Sequence, residues 1–123
     1  MNKLLSLAGL VLALSAVPAA AHEEHGKARH GGIVAEAGPV EFEIVAAGDK
    51  LTVHVTEHGA ALATAGASGK LTALAGGAKR EIVLLPAGDN LLRGQGTLAP
   101  GAKLLLSVQW PGQKPLQARA VVK

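Results

Sequence analysis

A regular alternation of apolar and polar residues, interrupted by short glycine-containing turns, is the feature that most constrains the fold of this chain. It is clearest in the stretch PVEFEIVAAGDKLTVHVTEHG, residues 39–59. A period of two residues predicts β-strands that bury one face and expose the other. The positions on the predicted buried face are Val40, Phe42, Ile44, Ala46, Leu51, Val53 and Val55.

The two runs within this stretch predict a β-hairpin. The Gly-Asp pair at positions 48–49 favours a tight turn between them. A turn at this point places Phe42 opposite Val55 and Glu43 opposite His54. In this register the apolar side chains of both strands share one face and the polar side chains share the other. The register therefore agrees with the alternation of both strands.

Further runs of the same kind follow at a spacing of roughly ten residues, separated by turns rich in Gly, Pro and Asp. Residues 59–69 are rich in small side chains, and we interpret them as a loop with a short strand. The pattern predicts an all-β domain, a single antiparallel Ig-like β-sandwich of about seven to eight strands. The later predicted strands are residues 70–75, 80–85, 91–98, 103–110 and 116–122.

The chain begins with the organisation of a signal peptide. Lys3 supplies positive charge, residues 4–17 are apolar, and Ala19-Ala20-Ala21 matches the small-residue cleavage pattern. The apolar run is shorter than the roughly 20 residues that span a bilayer, so we expect no membrane insertion after cleavage. Cleavage after Ala21 predicts a signal peptide (1–21), a flexible histidine-rich tail (22–30) and the β-sandwich domain (31–123).

The sequence offers no sulfur ligand for a metal ion. It contains no cysteine, and its one methionine is Met1, which leaves with the predicted signal peptide. A transition-metal site would therefore use imidazole, carboxylate or the terminal amine. These ligands suit Cu(II), Zn(II), Ni(II) and Co(II) better than Cu(I). The lack of cysteine also means that the domain folds without disulfides.

Nothing in the sequence predicts an enzyme or a nucleic-acid-binding protein. The formal net charge is +3, and the Lys and Arg residues are spread along the chain rather than clustered. No G-x-S-x-G motif frames a serine, and neither a tyrosine nor a cysteine nucleophile is present. Glu41 and Glu43 are explained by the polar face of an amphipathic strand.

Three of the five histidines lie close together behind the predicted cleavage site. Cleavage after Ala21 would place the free α-amine and the imidazole of His22 side by side, an arrangement that chelates metal ions. His25 and His30 follow, and this part of the chain needs no imidazoles for packing. One interpretation is therefore a metal-capturing arm; the alternative is a solvated tail with incidental histidines.

The remaining two histidines, His54 and His58, are four residues apart. On a strand this spacing corresponds to roughly 13 Å, too far for both side chains to bind one ion easily. We interpret His54 as a surface residue facing Glu43. His58 lies where the strand ends beside Gly59, and it is either a metal ligand that approaches His30 or an exposed turn residue.

Four segments, HGGIV, EFEIV, LTVHVTEHG and LPAGDNLLRGQG, occur in this order and resemble a family of small exported proteins associated with bacterial heavy-metal efflux systems. Similar sequences occur in the periplasmic adaptor subunits of these tripartite pumps. The resemblance covers residues 30–122 and implies an Ig-like β-sandwich, a periplasmic location in a Gram-negative bacterium, and the binding or transfer of a divalent metal. His30 and His58 fall in the matching segments, whereas Ala60-Ala61 stands where the family often has a proline.

Two main hypotheses follow. The first is a periplasmic buffer or chaperone for a divalent transition metal, Cu(II) or Zn(II), linked to metal efflux or resistance. In it, His22 and His25 capture the ion while His30 and His58 hold it against the domain. The second is a non-catalytic interaction module that docks on an efflux adaptor subunit through an exposed strand edge. A third, a copper oxidase with His22 as a terminal brace, requires a rigid second histidine beside the terminus.

Overall fold

The computed structural model describes residues 26–123, which form nine β-strands and no helix. The predicted signal peptide, His22 and His25 lie outside the described residues. The all-β prediction is confirmed, and every strand pairing is antiparallel. The strands are β1 (Ile33–Ala37), β2 (Val40–Ala47), β3 (Lys50–Glu57), β4 (Ala60–Ala61), β5 (Ser68–Ala75), β6 (Ala78–Pro86), β7 (Leu91–Gln95), β8 (Lys103–Gln109) and β9 (Leu116–Val121).

The β2–β3 hairpin has the register that its alternation predicts. Phe42 pairs with Val55, and Glu43 pairs with His54. Ala46, expected on the buried face, is exposed, because it lies at the end of β2 beside the hairpin turn.

Within residues 26–123 no helix is long and apolar enough to cross a membrane.

The strands form one nearly closed, barrel-like sheet in the order β1-β2-β3-β7-β6-β5-β8-β9, with β4 paired to β3. Strands β1 and β9, at the two ends of this order, pack against each other. The sheet is therefore not clearly the Ig-like sandwich that the sequence predicts. The difference arises at β6, which pairs with β5 along most of its length and with β7 through Leu85 and Pro86.

Close contact between β6 and β7 depends on a glycine. A Cβ at Gly94 would lie 2.7 Å from the carbonyl oxygen of Val83 and 2.8 Å from the Leu84 side chain. Only glycine allows the two backbones to approach this closely. Gly94 thus joins the two halves of the sheet at this corner.

The hydrophobic core lies inside the barrel and draws on every strand except the two-residue β4. Phe42, the one phenylalanine of the chain, is fully buried. Trp110 is buried at the end of β8, where its indole N–H donates a hydrogen bond of 2.9 Å to the carbonyl oxygen of Ala63. The other largest fully buried side chains are Ile44, Leu51, Leu71, Leu84, Leu92, Leu106, Val53, Val55, Val108 and Thr64.

Candidate functional site

The chain ahead of β1 lies against the outer face of the β2–β3 hairpin. This segment, residues 26–32, is polar and glycine-rich, and it contacts two glutamates that project from β2. The backbone N–H of Gly26 donates to Glu41 Oε1 at 2.9 Å. Four further contacts converge on Glu43, which is 7% exposed although it lies on the face opposite the core.

The carboxylate of Glu43 is fully engaged by the 26–32 segment. Its Oε1 accepts the backbone N–H of Arg29 at 2.9 Å, and its Oε2 accepts the N–H groups of His30 at 2.7 Å and Gly32 at 2.9 Å. The Nδ1 atom of the His30 ring lies 3.0 Å from Oε1. Three backbone donors and one ring nitrogen therefore surround one buried carboxylate.

These hydrogen bonds keep Glu43 ionised. Burial alone raises the pKa of this carboxyl, but the hydrogen bonds from the His30 ring and from the backbone of Arg29, Gly32 and His30 outweigh burial. Together they lower the pKa from 4.5 to about 2. Near neutral pH the carboxylate can therefore act only as a hydrogen-bond acceptor.

An ionised Glu43 fixes the tautomer of His30. The Nδ1 atom must carry a hydrogen to bond with the carboxylate, so a neutral His30 ring has an unprotonated Nε2. The His30 side chain is half exposed, whereas that of Glu43 is 8% exposed. The pair thus presents one ring nitrogen, with a free lone pair, on a ring of fixed orientation.

The ring of His54 stacks on the ring of His30. Their centroids are 3.7 Å apart and their planes differ by 6°. Burial lowers the pKa of His54, repulsion from His30 lowers it further, and the attraction of Glu43 opposes these effects, leaving the pKa below 6.5. The lone pair of an imidazole nitrogen lies in the plane of its ring, so the lone pairs of two stacked rings do not converge on one ion. His54 therefore positions the His30 ring and does not chelate an ion together with it.

A shallow pocket of about 180 Å³ adjoins the two rings. Lys27 and Arg29 line it on the side of the 26–32 segment, and Thr56 and Asn90 line it from β3 and the turn before β7. The carboxylates of Glu41 and Glu43 line the pocket as well, so the space beside the histidine stack has both cationic and acidic side chains on its border. The two carboxylates offset the nearby positive charge.

His58 lies in the turn between β3 and β4, with a left-handed φ of 49°. Its backbone N–H donates to the carbonyl oxygen of Pro39 at 3.1 Å. The turn passes beside the 26–32 segment, since the Arg29 guanidinium lies 3.5 Å from the carbonyl oxygen of Gly59. Within residues 26–123, no group of three or more His, Cys, Asp or Glu side chains is close enough to hold a metal ion.

The sequence predicted the Glu43–His54 pairing but not the burial of Glu43. Burial requires the 26–32 segment to fold back across β2, and no alternation in a polar tail indicates this. A signal was nonetheless present in Gly31-Gly32. A Cβ at Gly32 would collide with the carbonyl oxygen of Ile44, so glycine is needed where the segment crosses the hairpin.

Comparison of this chain with protein-family models, with curated proteins and with solved structures finds no match, so what the site does must be inferred from its own geometry.

Proposed function

We propose that this protein binds a divalent transition-metal ion in the periplasm, as a buffer or chaperone for Cu(II) or Zn(II) linked to metal efflux or resistance. The observation that carries the proposal is the buried Glu43 carboxylate holding His30 Nδ1 at 3.0 Å. This contact leaves Nε2 unprotonated and directs it away from the carboxylate. Metal-binding histidines in proteins are oriented in the same way, by a carboxylate on the other ring nitrogen.

One oriented histidine does not make a complete site. The other predicted ligands are His22 and His25, which precede the described residues, and His58, whose turn lies beside Arg29. We propose that an ion on His30 recruits the histidines and the terminal amine of the preceding tail. Residues 26–32 support this arrangement because they attach the base of the tail to the hairpin at Glu43.

The exposure of His30 favours exchange of the ion over permanent storage. Structural metal sites are closed by four protein ligands, whereas an open site lets water or a partner ligand enter. Half of the His30 side chain is accessible.

The proposed periplasmic location rests on the predicted signal peptide and on the resemblance to efflux-associated proteins. Transfer of the ion to an adaptor subunit is part of the same proposal.

Isothermal titration of the processed protein with Cu(II), Zn(II), Ni(II) and Co(II) near pH 7.5 tests the proposal. We expect saturable binding near one equivalent, and His30→Ala should weaken it by at least about tenfold. His22→Ala and His25→Ala test the tail, and His58→Ala decides whether the β3–β4 turn contributes. The pH range must stay above the pKa of free histidine, about 6.5, since only unprotonated imidazole binds the ion.

Glu43→Gln provides a sharper test than removal of a ligand. Replacing the carboxylate should lower the metal affinity by about 10- to 100-fold, because the His30 tautomer and ring orientation are no longer fixed. Glu81→Gln, the same change on exposed β6, is the matched control and should leave the affinity unchanged.

Two results would contradict the proposal: binding that is indifferent to both His30 and Glu43, or the lack of saturable binding with any of the four ions. The second hypothesis, a module that docks on an efflux adaptor, would then become the working model. It predicts that docking survives replacement of His22, His25, His30 and His58 by alanine.

A further inference from the structure

The wall of the barrel formed by β6, β5, β8 and β9 has an outer surface unlike the rest of the described chain. All four exposed large hydrophobic residues of the described chain lie on it, and they are between 47% and 63% exposed. They alternate along their strands with buried residues, so their side chains point outward. These residues are Leu74, Val83, Leu85 and Val121.

Cationic side chains share this surface. Four exposed cationic residues alternate with buried residues along their strands, so their side chains also point outward. They are Lys70, Lys79, Lys103 and Arg119. Glu81 is the one acidic residue in the four strands, and it lies 3.3 Å from Lys79 and 3.8 Å from Lys70. The surface therefore keeps a net positive charge. We call it the cationic face.

The strand register interleaves the two kinds of residue. Leu74 lies between Lys79 of β6 and Lys103 of β8, and Lys103 in turn pairs with Val121 of β9. One row across the sheet thus reads cation, aliphatic, cation, aliphatic. An apolar groove of about 350 Å³ follows this row, with Arg119 also on its lining.

The chemistry of this face selects among possible partners. A second copy docking through the same face would oppose like charges, which is unfavourable. Protein–protein interfaces are enriched in aromatic residues and depleted in lysine, whereas this face has three lysines and no aromatic residue. Lysines interleaved with aliphatic side chains are suited to anionic lipid: the charged heads reach phosphates while their stems and the aliphatics enter the headgroup region.

We propose that the cationic face docks the protein peripherally on an anionic phospholipid surface. In the strand order β5 and β8 lie farthest from β2 and β3, so docking through the row that contains Leu74 and Lys103 leaves the 26–32 segment and His30 directed to the solvent. Val83 and Leu85 lie at the edge of the face, where they share a groove with residues of β3 and β7. The inference is independent of metal binding, because no residue of the cationic face takes part in the Glu43 site.

Vesicle flotation of the purified protein tests the proposal. We expect binding to vesicles of phosphatidylglycerol and phosphatidylethanolamine, no binding to phosphatidylcholine vesicles, and release as salt is raised. Lys103→Glu should reduce the bound fraction by about tenfold, since reversal at the centre of the face removes one attraction and adds a repulsion. Lys114→Glu, in the turn between β8 and β9, changes the net charge equally and should reduce binding less than about twofold.

The aliphatic residues need their own variant. Leu74→Ser keeps every charge, so a reduced bound fraction at constant salt shows that apolar contacts contribute. All the substituted side chains are exposed, and circular dichroism checks that the variants remain folded.

Three results would overturn the proposal. They are equal binding to both kinds of vesicle, equal losses in Lys103→Glu and Lys114→Glu, and no vesicle binding at all. If the protein does not bind vesicles but binds an immobilised acidic peptide, and Lys103→Glu weakens that binding, the partner of this face is an acidic protein surface instead.

Discussion

Glu43 is buried on the outer side of a sheet because the chain ahead of β1 covers it. A carboxylate loses hydration on burial, and the loss is tolerated only where hydrogen bonds replace the water. Here three backbone N–H groups and the His30 ring do so. The same contacts that make burial possible also select the His30 tautomer, so local stability and proposed chemistry depend on one side chain.

The low pKa of Glu43 predicts a pH dependence of stability. Its folded pKa is about 2 against 4.5 for the free group, so the unfolded chain binds the proton more tightly between these values. The contribution of Glu43 is therefore complete above about pH 4.5 and is lost as the pH falls towards 2. It amounts to on the order of 3 kcal/mol in the free energy of unfolding. Urea unfolding at a series of pH values should show a steeper acid loss for the wild type than for Glu43→Gln; parallel curves would contradict this.

The stacked rings predict a second titration effect. His54 should titrate below 6.5, and NMR of its ring protons measures this. His30→Gln should raise the pKa of His54 towards 6.5, because it removes both a neighbouring ring that buries His54 and a charge that repels it. Since protonation of His54 is disfavoured in the folded protein, this residue also reduces stability as the pH falls below 6.5. A His54 pKa at or above 6.5 in the wild type would refute the stacked arrangement.

At the scale of elements, alternation predicted the hairpin register down to individual pairs but did not predict how the strands close. A one-residue shift would move Phe42 and Val55 out of the core, so burial determines the register of β2 and β3 strongly. The pairing of Leu85 with Arg93, which joins the two halves, depends on backbone proximity and leaves no periodic pattern. For the 26–32 segment the sequence held only the signal of Gly31-Gly32, because most contacts of this segment use backbone N–H groups, which nearly every residue carries.

The corner between β6 and β7 gives a prediction at this scale. Gly94→Ala should lower the free energy of unfolding by about 3 kcal/mol, because the new Cβ meets backbone and core atoms that cannot easily move. Gly38→Ala is the comparison. Gly38 has a φ of +61° in the β1–β2 turn but nothing within 4 Å, so the cost there is conformational, about 1 kcal/mol. Chemical denaturation measures both, and equal losses would show that the close approach at Gly94 is unimportant.

For the molecule as a whole, core packing and hydrogen bonding stabilise the barrel, since no cysteine is available for disulfides. A domain of this size is stabilised by only about 5–15 kcal/mol, so one large core residue carries a substantial share. The two opposite walls are then free to differ in chemistry. One carries the Glu43 site and the other carries the cationic face.

Phe42 tests this dependence on the core. Its side chain is fully buried and belongs to the hydrophobic core. Phe42→Ala should destabilise the fold by about 3–5 kcal/mol and Phe42→Leu by less than about 2 kcal/mol, because the cavity left by leucine is smaller. Thermal unfolding followed by circular dichroism measures the difference, and a loss below about 1 kcal/mol for Phe42→Ala would argue against a single shared core.

Attachment of the 26–32 segment through backbone N–H groups has a consequence for protein engineering. Glu43 holds Arg29, His30 and Gly32 by atoms that do not depend on the first two side chains. Substitution at position 30 by any residue other than proline therefore keeps these three backbone donors. Cysteine or a neutral non-natural chelating residue at this position would lie on the same support, whereas aspartate would meet repulsion from the Glu43 carboxylate. The chain thus offers a small scaffold on which ligand preference can be varied one side chain at a time.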